Sequence, residues 1–551
     1  MERRLLLAFA LMGLVLFLTQ YVYKPPASPP PKSVPAAQQK SQPKPAEPTR
    51  PAAPVAQDQV SAKQEETFVL ETDLYRIVFS NRGAVARSWV LKRYKDGLGK
   101  PLELINAGGA AKTGFPFSYD FPSGAPPADL KNALFSAKPS ADGLGVEYQF
   151  SDGRVVARKS FVLQKNRYLG EVDSSVVADG RPVPHVLTWR GGFGDPTVLN
   201  HAATLHSLYF DPAANKLVVQ QAKAAKNGPV SSMGSYSFAG IEDSYFTAVF
   251  LPLTQSPFEI RTFSDQVSPV AGAAEVPYLG AGVGGSGENR FSAFVGPKDV
   301  DILRGVNPKL QQAVDFGWFT VIARPLFLSV NWVNNRWVHN YGWSIVVVTV
   351  IINFLLLPLK FTSLKSMKKM QLLQPQIAAI NAKYKGLSIR DPKKADQNQE
   401  VMDLYKKHGV NPMGGCVPMV LQIPFFFAFY KVLTVAIEMR GAEWLWVRDL
   451  SQPEHLPIRI LPVVMIVTQF IMQKMTPSTS ADPTQQRMML MMPLVMGFMF
   501  YGMSSGLVLY WLTGNLVGIA QQWFFNRGSV TVPAPVPAQT SKTKGRKGAR
   551  A

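Results

Sequence analysis

Five apolar segments follow one another near the end of this chain. They are Tyr341 to Leu359, Cys416 to Ile437, Ile458 to Met475, Met488 to Met503 and Gly506 to Phe525. A helix needs ~20 apolar residues to cross the hydrocarbon of a bilayer. A sixth run opens the chain. In "MERRLLLAFALMGLVLFLTQYVY" two arginines precede an uncharged stretch from Leu5 to Tyr23. That stretch makes ~28 Å of helix, enough to span. Arg3 and Arg4 hold its start in the cytoplasm, so the chain leaves outward. No small-x-small cleavage site ends the run, so residues 1–23 read as an uncleaved signal anchor. The pattern predicts a multi-domain, polytopic α-helical membrane protein with six spans.

The connecting segments set the orientation. Lys360 to Lys407 holds eleven Lys or Arg against four acidic residues. Glu438 to Pro457 holds only Arg440 and Arg448 against four acidic residues. Lys474 and Arg487 flank the next turn, and Lys542, Lys544, Arg546, Lys547 and Arg550 crowd the tail, 528–551. Alternation of basic and non-basic loops puts both termini in the cytoplasm. Much of the net charge of +21 therefore lies on the cytoplasmic face, beside anionic lipid and within reach of a ribosome. The single cysteine, Cys416, excludes an intramolecular disulfide.

Residues 24–64 are Pro, Ala, Gln, Lys and Ser, a composition that buries no core and stays extended as a periplasmic linker. The texture changes over residues 65–308. "FVLETDLYRIVFSNRGAVARSWVLKRY" alternates apolar and polar residues between turn residues, and Ser151-Asp152-Gly153 marks a hairpin. The segment predicts an all-β, antiparallel sandwich outside the membrane. His185, His201 and His206 are scattered there without metal-ligand spacing, and they read as histidines of strands or loops with no catalytic role. No cofactor or metal motif is visible, and no enzyme is expected.

Residues 315–338 carry Trp318, Phe319, Phe327, Trp332 and Trp337 with few charges, which suits an interfacial amphipathic helix. Residues 340–527 then form the helical core. Its cytoplasmic loop, 360–411, holds two amphipathic stretches separated by "GLSIRDPKKA", a helical hairpin with Gly386 and Pro392 as breakers.

The polar residues inside the spans fall on faces. Thr349 and Asn353 are four apart, as are Gln422 and Phe426. Met465, Gln469, Met472 and Gln473 share a face, and Tyr510, Gly514, Val517, Gly518 and Gln521 form a stripe with Thr513 beside it. Two accounts fit. One is interhelical hydrogen bonding with close packing at Gly514 and Gly518; the other is a shared hydrated groove. Asn353 lies ~10 Å from the cytoplasmic edge at Lys360 and Gln422 ~9 Å from Cys416. A chamber open to the cytoplasm would explain that depth. Met488, Met491, Met496, Met499 and their neighbours add an adaptable apolar surface.

"NPMGGCVPMVLQIPFFFAFY", "QKMTPSTSADPTQQRMM" and "SGLVLYWLTGNLVGIAQQ" closely resemble the YidC/Oxa/Alb family of membrane-protein insertases. The similarity covers Asp315 to Arg527, and the anchor, linker and β domain resemble the bacterial two-membrane form. The resemblance implies a five-helix insertase core in the bacterial inner membrane. It also implies nascent membrane proteins as clients and work alone or with the Sec translocon, without nucleotide hydrolysis. It further implies a hydrophilic groove. Thr349, Asn353, Gln422, Gln469 and Thr513 would meet the client's polar flank; Phe426, Met465, Met499, Tyr510 and Trp511 would meet its apolar segment. At the position of Asn353 the family usually carries Arg or Lys, so the groove's fixed cation is absent from that place. Lys431 is the candidate to compensate, but it lies about 180° around its helix from Gln422 and near the outer leaflet, so it is expected to face away from the groove. Two other classes compete. A small-solute transporter would show two similar halves, which are not visible. A membrane-anchored periplasmic carbohydrate-binding protein would leave the polar membrane faces unexplained.

Overall fold

A computed structural model describes residues 59–527, apart from 199–200, 255, 269–271, 273, 385–390, 411–416 and 477–482. The signal anchor, most of the linker and the basic tail lie outside the described residues.

Among the described residues, strands from Thr67–Glu71 to Glu288–Pro297 form three sheets of four, ten and five strands, with neighbouring strands antiparallel. Period-two alternation does the sorting. In the strand Val155–Leu163, Val155, Ala157, Lys159, Phe161 and Leu163 point inward while Arg158 and Val162 face out. The single sandwich expected from the sequence is thus divided, but the three sheets share one core. Phe79 of the first, Phe161 of the second and Val283 of the third all belong to it. Trp89, Phe117, Phe161 and Trp189 pack there ring against ring, Phe117 and Phe161 at 5.0 Å and Trp89 and Trp189 at 6.0 Å.

The three histidines stand on separate elements. His185 starts a strand, His201 a short helix and His206 another strand. The His185 ring is buried, with Ser174 Oγ at 2.8 Å, Val183 O at 3.0 Å and Asn289 Nδ2 at 3.0 Å. Burial drives the His185 and His206 rings down to about 4.

Among the described residues, the C-terminal part carries the helices α1 (Thr320–Val333), α2 (Tyr341–Leu355), α3 (Leu357–Leu372), α4 (Gln374–Lys383), α5 (Lys393–Lys407), α6 (Val417–Val435), α7 (Ile460–Met475), α8 (Pro483–Tyr501) and α9 (Ser505–Arg527). Around helix α1, Trp318, Trp332 and Trp337 are exposed. The chain then bends by 116° into α2. His339 takes a left-handed φ of 53° at the bend, and Asn340 caps α2 by accepting from Trp343 N at 3.1 Å.

The expected spans need correction. Among the described residues no single helix is long and apolar enough to cross a membrane. The apolar stretches of α6, α7 and α8 are Gln422–Val435, Ile460–Met475 and Leu490–Tyr501. The run Tyr341 to Leu359 is not one helix: α2 stops at Leu355, and Pro358 enters at the start of α3. Proline lacks an N–H and disfavours helix in the residue before it, so a fresh helix begins there. Pro375 divides the first arm of the cytoplasmic hairpin in the same way, between α3 and α4. Met370, Leu373, Ile377, Val401, Tyr405 and Val410 form that hairpin's own small core.

One contact ties the loop between α6 and α7 to the β strands. Arg440 pairs with Asp195 and also donates to Lys95 O at 2.8 Å, with Tyr245 and Phe246 rings 5.3 and 5.5 Å from its guanidinium. Both charged side chains are nearly enclosed, at 6% and 1% exposure.

The buried histidines make stability depend on pH. Their folded pKa lies below the unfolded value, so the unfolded chain binds more protons between about 4 and ~6.5. The stability they contribute is present above that window and lost as pH falls through it. The melting temperature of the β part should fall on acidification from pH 7 to 4. His185→Gln, which does not titrate, should flatten that slope.

Candidate functional site: a polar seam between the helices

Helix α9 is the spine of the site. Tyr510, Thr513, Asn515 and Gln521 on it are all buried. Each meets a different neighbour, and two sets of contacts result.

The first set joins α2, α3 and α9. Thr349 Oγ1 donates to Ile345 O at 2.6 Å, and Asn353 Nδ2 donates to Thr349 O at 2.8 Å. These back-bonds satisfy donors within the helix. Asn353 Oδ1 remains as an acceptor, and it takes a hydrogen bond from Lys360 Nζ at 2.5 Å. Gln521 Nε2 donates to Asn353 O at 3.3 Å, while Gln521 Oε1 lies 3.5 Å from the same ammonium. Lys360 is half-buried, but Asn353 is only 4% exposed. The amide at position 353 therefore meets a cation arriving from the next helix.

The second set joins α6, α7, α8 and α9. Gln422 Nε2 donates to Tyr510 Oη at 2.7 Å, and the Tyr510 ring stacks on Phe429 at 4.2 Å. Phe426 packs edge-on against Phe500 at 5.7 Å and Trp511 at 5.5 Å. Trp511 Nε1 donates to Gln469 Oε1 at 3.2 Å. Asn515 Nδ2 bridges to Thr468 Oγ1 at 3.3 Å and Met465 O at 3.4 Å.

The open chamber expected from depth is not how these side chains stand. Thr349 and Thr513 are buried and bonded to their own helices, Thr513 through Leu509 O at 2.8 Å. Tyr510 and Met465 are buried too, and so are not lips facing lipid. Gln422, Phe426, Gln469 and Trp511 are half-buried, and Met499 alone of the expected contacts is exposed, at 49%. A polar group in apolar surroundings takes the nearest partner, and here helix–helix contact supplies it. The glycine stripe is split. A Cβ on Gly518 would lie 2.9 Å from Met472 Sδ, whereas one on Gly514 would meet no atom within 4 Å. Gly518 permits close packing, and Gly514 borders open space.

Comparison with known proteins identifies the architecture. A family model described as 60Kd inner membrane protein matches residues 332–531, and one described as YidC periplasmic domain matches residues 67–329. The membrane protein insertase YidC of Geotalea daltonii is 34% identical over 548 residues, covering 96% of this chain and 99% of that protein. That of Syntrophus aciditrophicus is 33% identical over 574 residues, covering 96% and 100%. The chain belongs to the YidC family of membrane protein insertases. Among solved structures, an active YidC insertase with its first transmembrane domain resolved aligns at a TM-score of 0.36 and 18% identity, over 85% of this chain and 95% of that one.

As a YidC family member the protein inserts membrane proteins and carries a periplasmic, mostly β domain beside its helical core. Position 353 itself carries no cation, and Lys360 reaches Asn353 from α3. Lys431 does stand elsewhere, its Cε 3.6 Å from the Cβ position of Gly317. Sequence reasoning took Lys360 only as the edge of a span and missed Asn515 with Thr468. The signal for Lys360 was its spacing: seven residues after Asn353 is two turns on the same helical face.

Tyr510→Phe should leave the Gln422 amide without its acceptor. The expected loss is ~1–3 kcal/mol of stability, read as a lower melting temperature in detergent. Gln422→Leu with Tyr510→Phe should recover part of it, because both halves of the bond are then gone.

Proposed function

We propose that the seam is the path of the client's polar flank, closed at rest and parted during insertion. Hydrogen bonds within it are exchanged for bonds to the client, and an amide both donates and accepts, so the exchange leaves few polar groups unpaired. The apolar segment of the client travels along the exposed outer faces of α8 and α2. Met491, Val495, Phe498 and Met499 of α8, and Ile351, Phe354 and Leu355 of α2, are exposed. Partition of that segment into lipid drives the process.

The observation that supports this reading is the placement of polar side chains. They converge on the contacts of α9 with α2, α6 and α7, while the apolar ones face out. Open space beside Gly514 gives the flank a place to begin. Apart from those of the Lys360 ammonium, the pairs that hold the seam are hydrogen bonds between neutral groups, each worth ~1 kcal/mol net, so a binding event is enough to part them. The basic hairpin and tail face the cytoplasm of a bacterial inner membrane, with both termini inside. The Sec translocon and the ribosome are then partners on either route of client delivery.

The test is insertion of a short two-segment membrane protein into liposomes that contain the purified protein, scored by protease protection. Photo-crosslinking residues at Gln422, half-buried at rest, and Thr513, buried at rest, should capture the client during insertion. Capture only from exposed positions such as Phe498 would remove the seam from the path. Asn353→Leu, which takes away the acceptor for Lys360, should lower insertion severalfold; unchanged insertion would detach Asn353 from the mechanism.

A further inference from the structure

One turn in the loop between α6 and α7 goes against two local preferences at once. Trp444 N donates to Val447 O and Val447 N to Trp444 O, both at 2.8 Å, so residues 444–447 close a two-residue hairpin. Leu445, its first corner, takes a left-handed φ of 50°. Glycine is the usual residue at such a corner, because a side chain there crowds the backbone. The same corner is apolar and outward: Leu445 is 64% exposed and Trp446, the second corner, 43%. A glycine or a polar residue would relieve the strain and suit water better. Local conformation and hydration therefore both oppose leucine at this tip.

The tip is firmly mounted. Trp444 and Val447 turn inward and are buried. The Trp444 ring lies on the start of α2, 5.5 Å from the Trp343 ring, and a Cβ on Gly342 would stand 2.2 Å from it. Trp446 Nε1 donates to Glu454 Oε1 at 3.1 Å, and the same oxygen accepts Leu461 N at 3.0 Å in the first turn of α7. With its one donor taken, the exposed part of the Trp446 ring is hydrocarbon. The flanking chain is tied to two more helix starts. Asn340 Nδ2, at the cap of α2, donates to Glu443 O at 2.9 Å. Ser505 N and Gly506 N, at the start of α9, donate to Gln452 O and Leu450 O at 2.8 Å.

A strained, rigid and exposed apolar tip gains from contact, since nothing need be ordered when it binds. Place and shape choose its occupant. The apolar surface continues through exposed Trp343 of α2 and exposed Ile458 and Ile460 where α7 begins. Exposed Arg448 stands one residue past the turn. Tryptophan, leucine and a nearby cation are the composition of the boundary between headgroups and acyl chains. A two-residue corner is also convex, and a fluid boundary closes around it without a matching groove.

We propose that the turn Trp444–Val447 is an outer-leaflet anchor: Leu445 and Trp446 sit at the headgroup–acyl boundary and hold the starts of α2, α7 and α9 at a fixed depth. This rests on the orientation given above, in which the basic hairpin is inside and this loop outside. A client segment and a second copy of the chain are the competing occupants.

The test uses the full-length protein with Cys416→Ser in phosphatidylethanolamine–phosphatidylglycerol vesicles, carrying a nitroxide at Leu445→Cys. Relaxation of the label by oxygen, which concentrates in lipid, is compared with relaxation by a water-soluble nickel chelate. Oxygen should dominate at Leu445→Cys, and the chelate at Arg181→Cys, an exposed site of the β part. Chelate access equal to that at Arg181→Cys would overturn the proposal. So would shielding that appears only with a client, or shielding that fades as the protein is diluted in lipid, the mark of a second copy. Leu445→Gly relieves the corner and removes the apolar side chain. Its melting temperature in detergent should hold or rise, while insertion in vesicles should fall by about half. A lower melting temperature in detergent would make Leu445 a packing residue and defeat the anchor, as would unchanged insertion. Failure of the orientation is read separately. A maleimide that cannot cross the membrane should reach Glu443→Cys from the periplasmic side; reaction from the cytoplasmic side alone would sink the orientation and the anchor with it.

Discussion

Everything in the helical part answers to one demand: a polar group set among apolar side chains must find a partner. Water cannot serve an amide enclosed by Leu, Val and Phe, and an unpaired one costs several times what a hydrogen bond returns. The stripe on α9 meets this demand with a different neighbour at each level. Tyr510 meets Gln422, Asn515 meets Thr468, and Gln521 meets the backbone of Asn353. The same helix that supplies the polar groups therefore holds α2, α6 and α7 around itself.

The charges follow the same logic at two other places. Arg440 and Asp195 are almost fully enclosed; Arg440 gains further support from the Lys95 carbonyl and the Tyr245 and Phe246 rings, and Asp195 from Thr197 N and Oγ1. That pair is settled, and it fixes the loop between α6 and α7 against the β strands. Lys360 is the opposite case. Its partners are neutral amide oxygens, and it sits at one end of the polar seam.

Much of this was legible beforehand because it is periodic. Alternation named the strands, and the spacing of Thr349 with Asn353 and of Tyr510 with Gln521 named the faces. Motif resemblance named the family, and the match of relatives over nearly the whole chain bears that out. Residues that proved buried rather than open, Tyr510 and Met465 among them, were placed on the right face but given the wrong neighbour. Face follows from spacing; what stands opposite a face does not.

The sequence alone determined the element types, the polar stripe, the sign of the loop charges and the membrane class, since each depends on residues near one another in the chain. Tertiary structure decided what those residues touch. Division of the strands into three sheets, the break after Leu355, the enclosure of the seam and the inward turn of Lys360 all depend on packing between distant segments. A side chain's partner is whichever group the fold brings within ~3 Å, and no local pattern carries that distance.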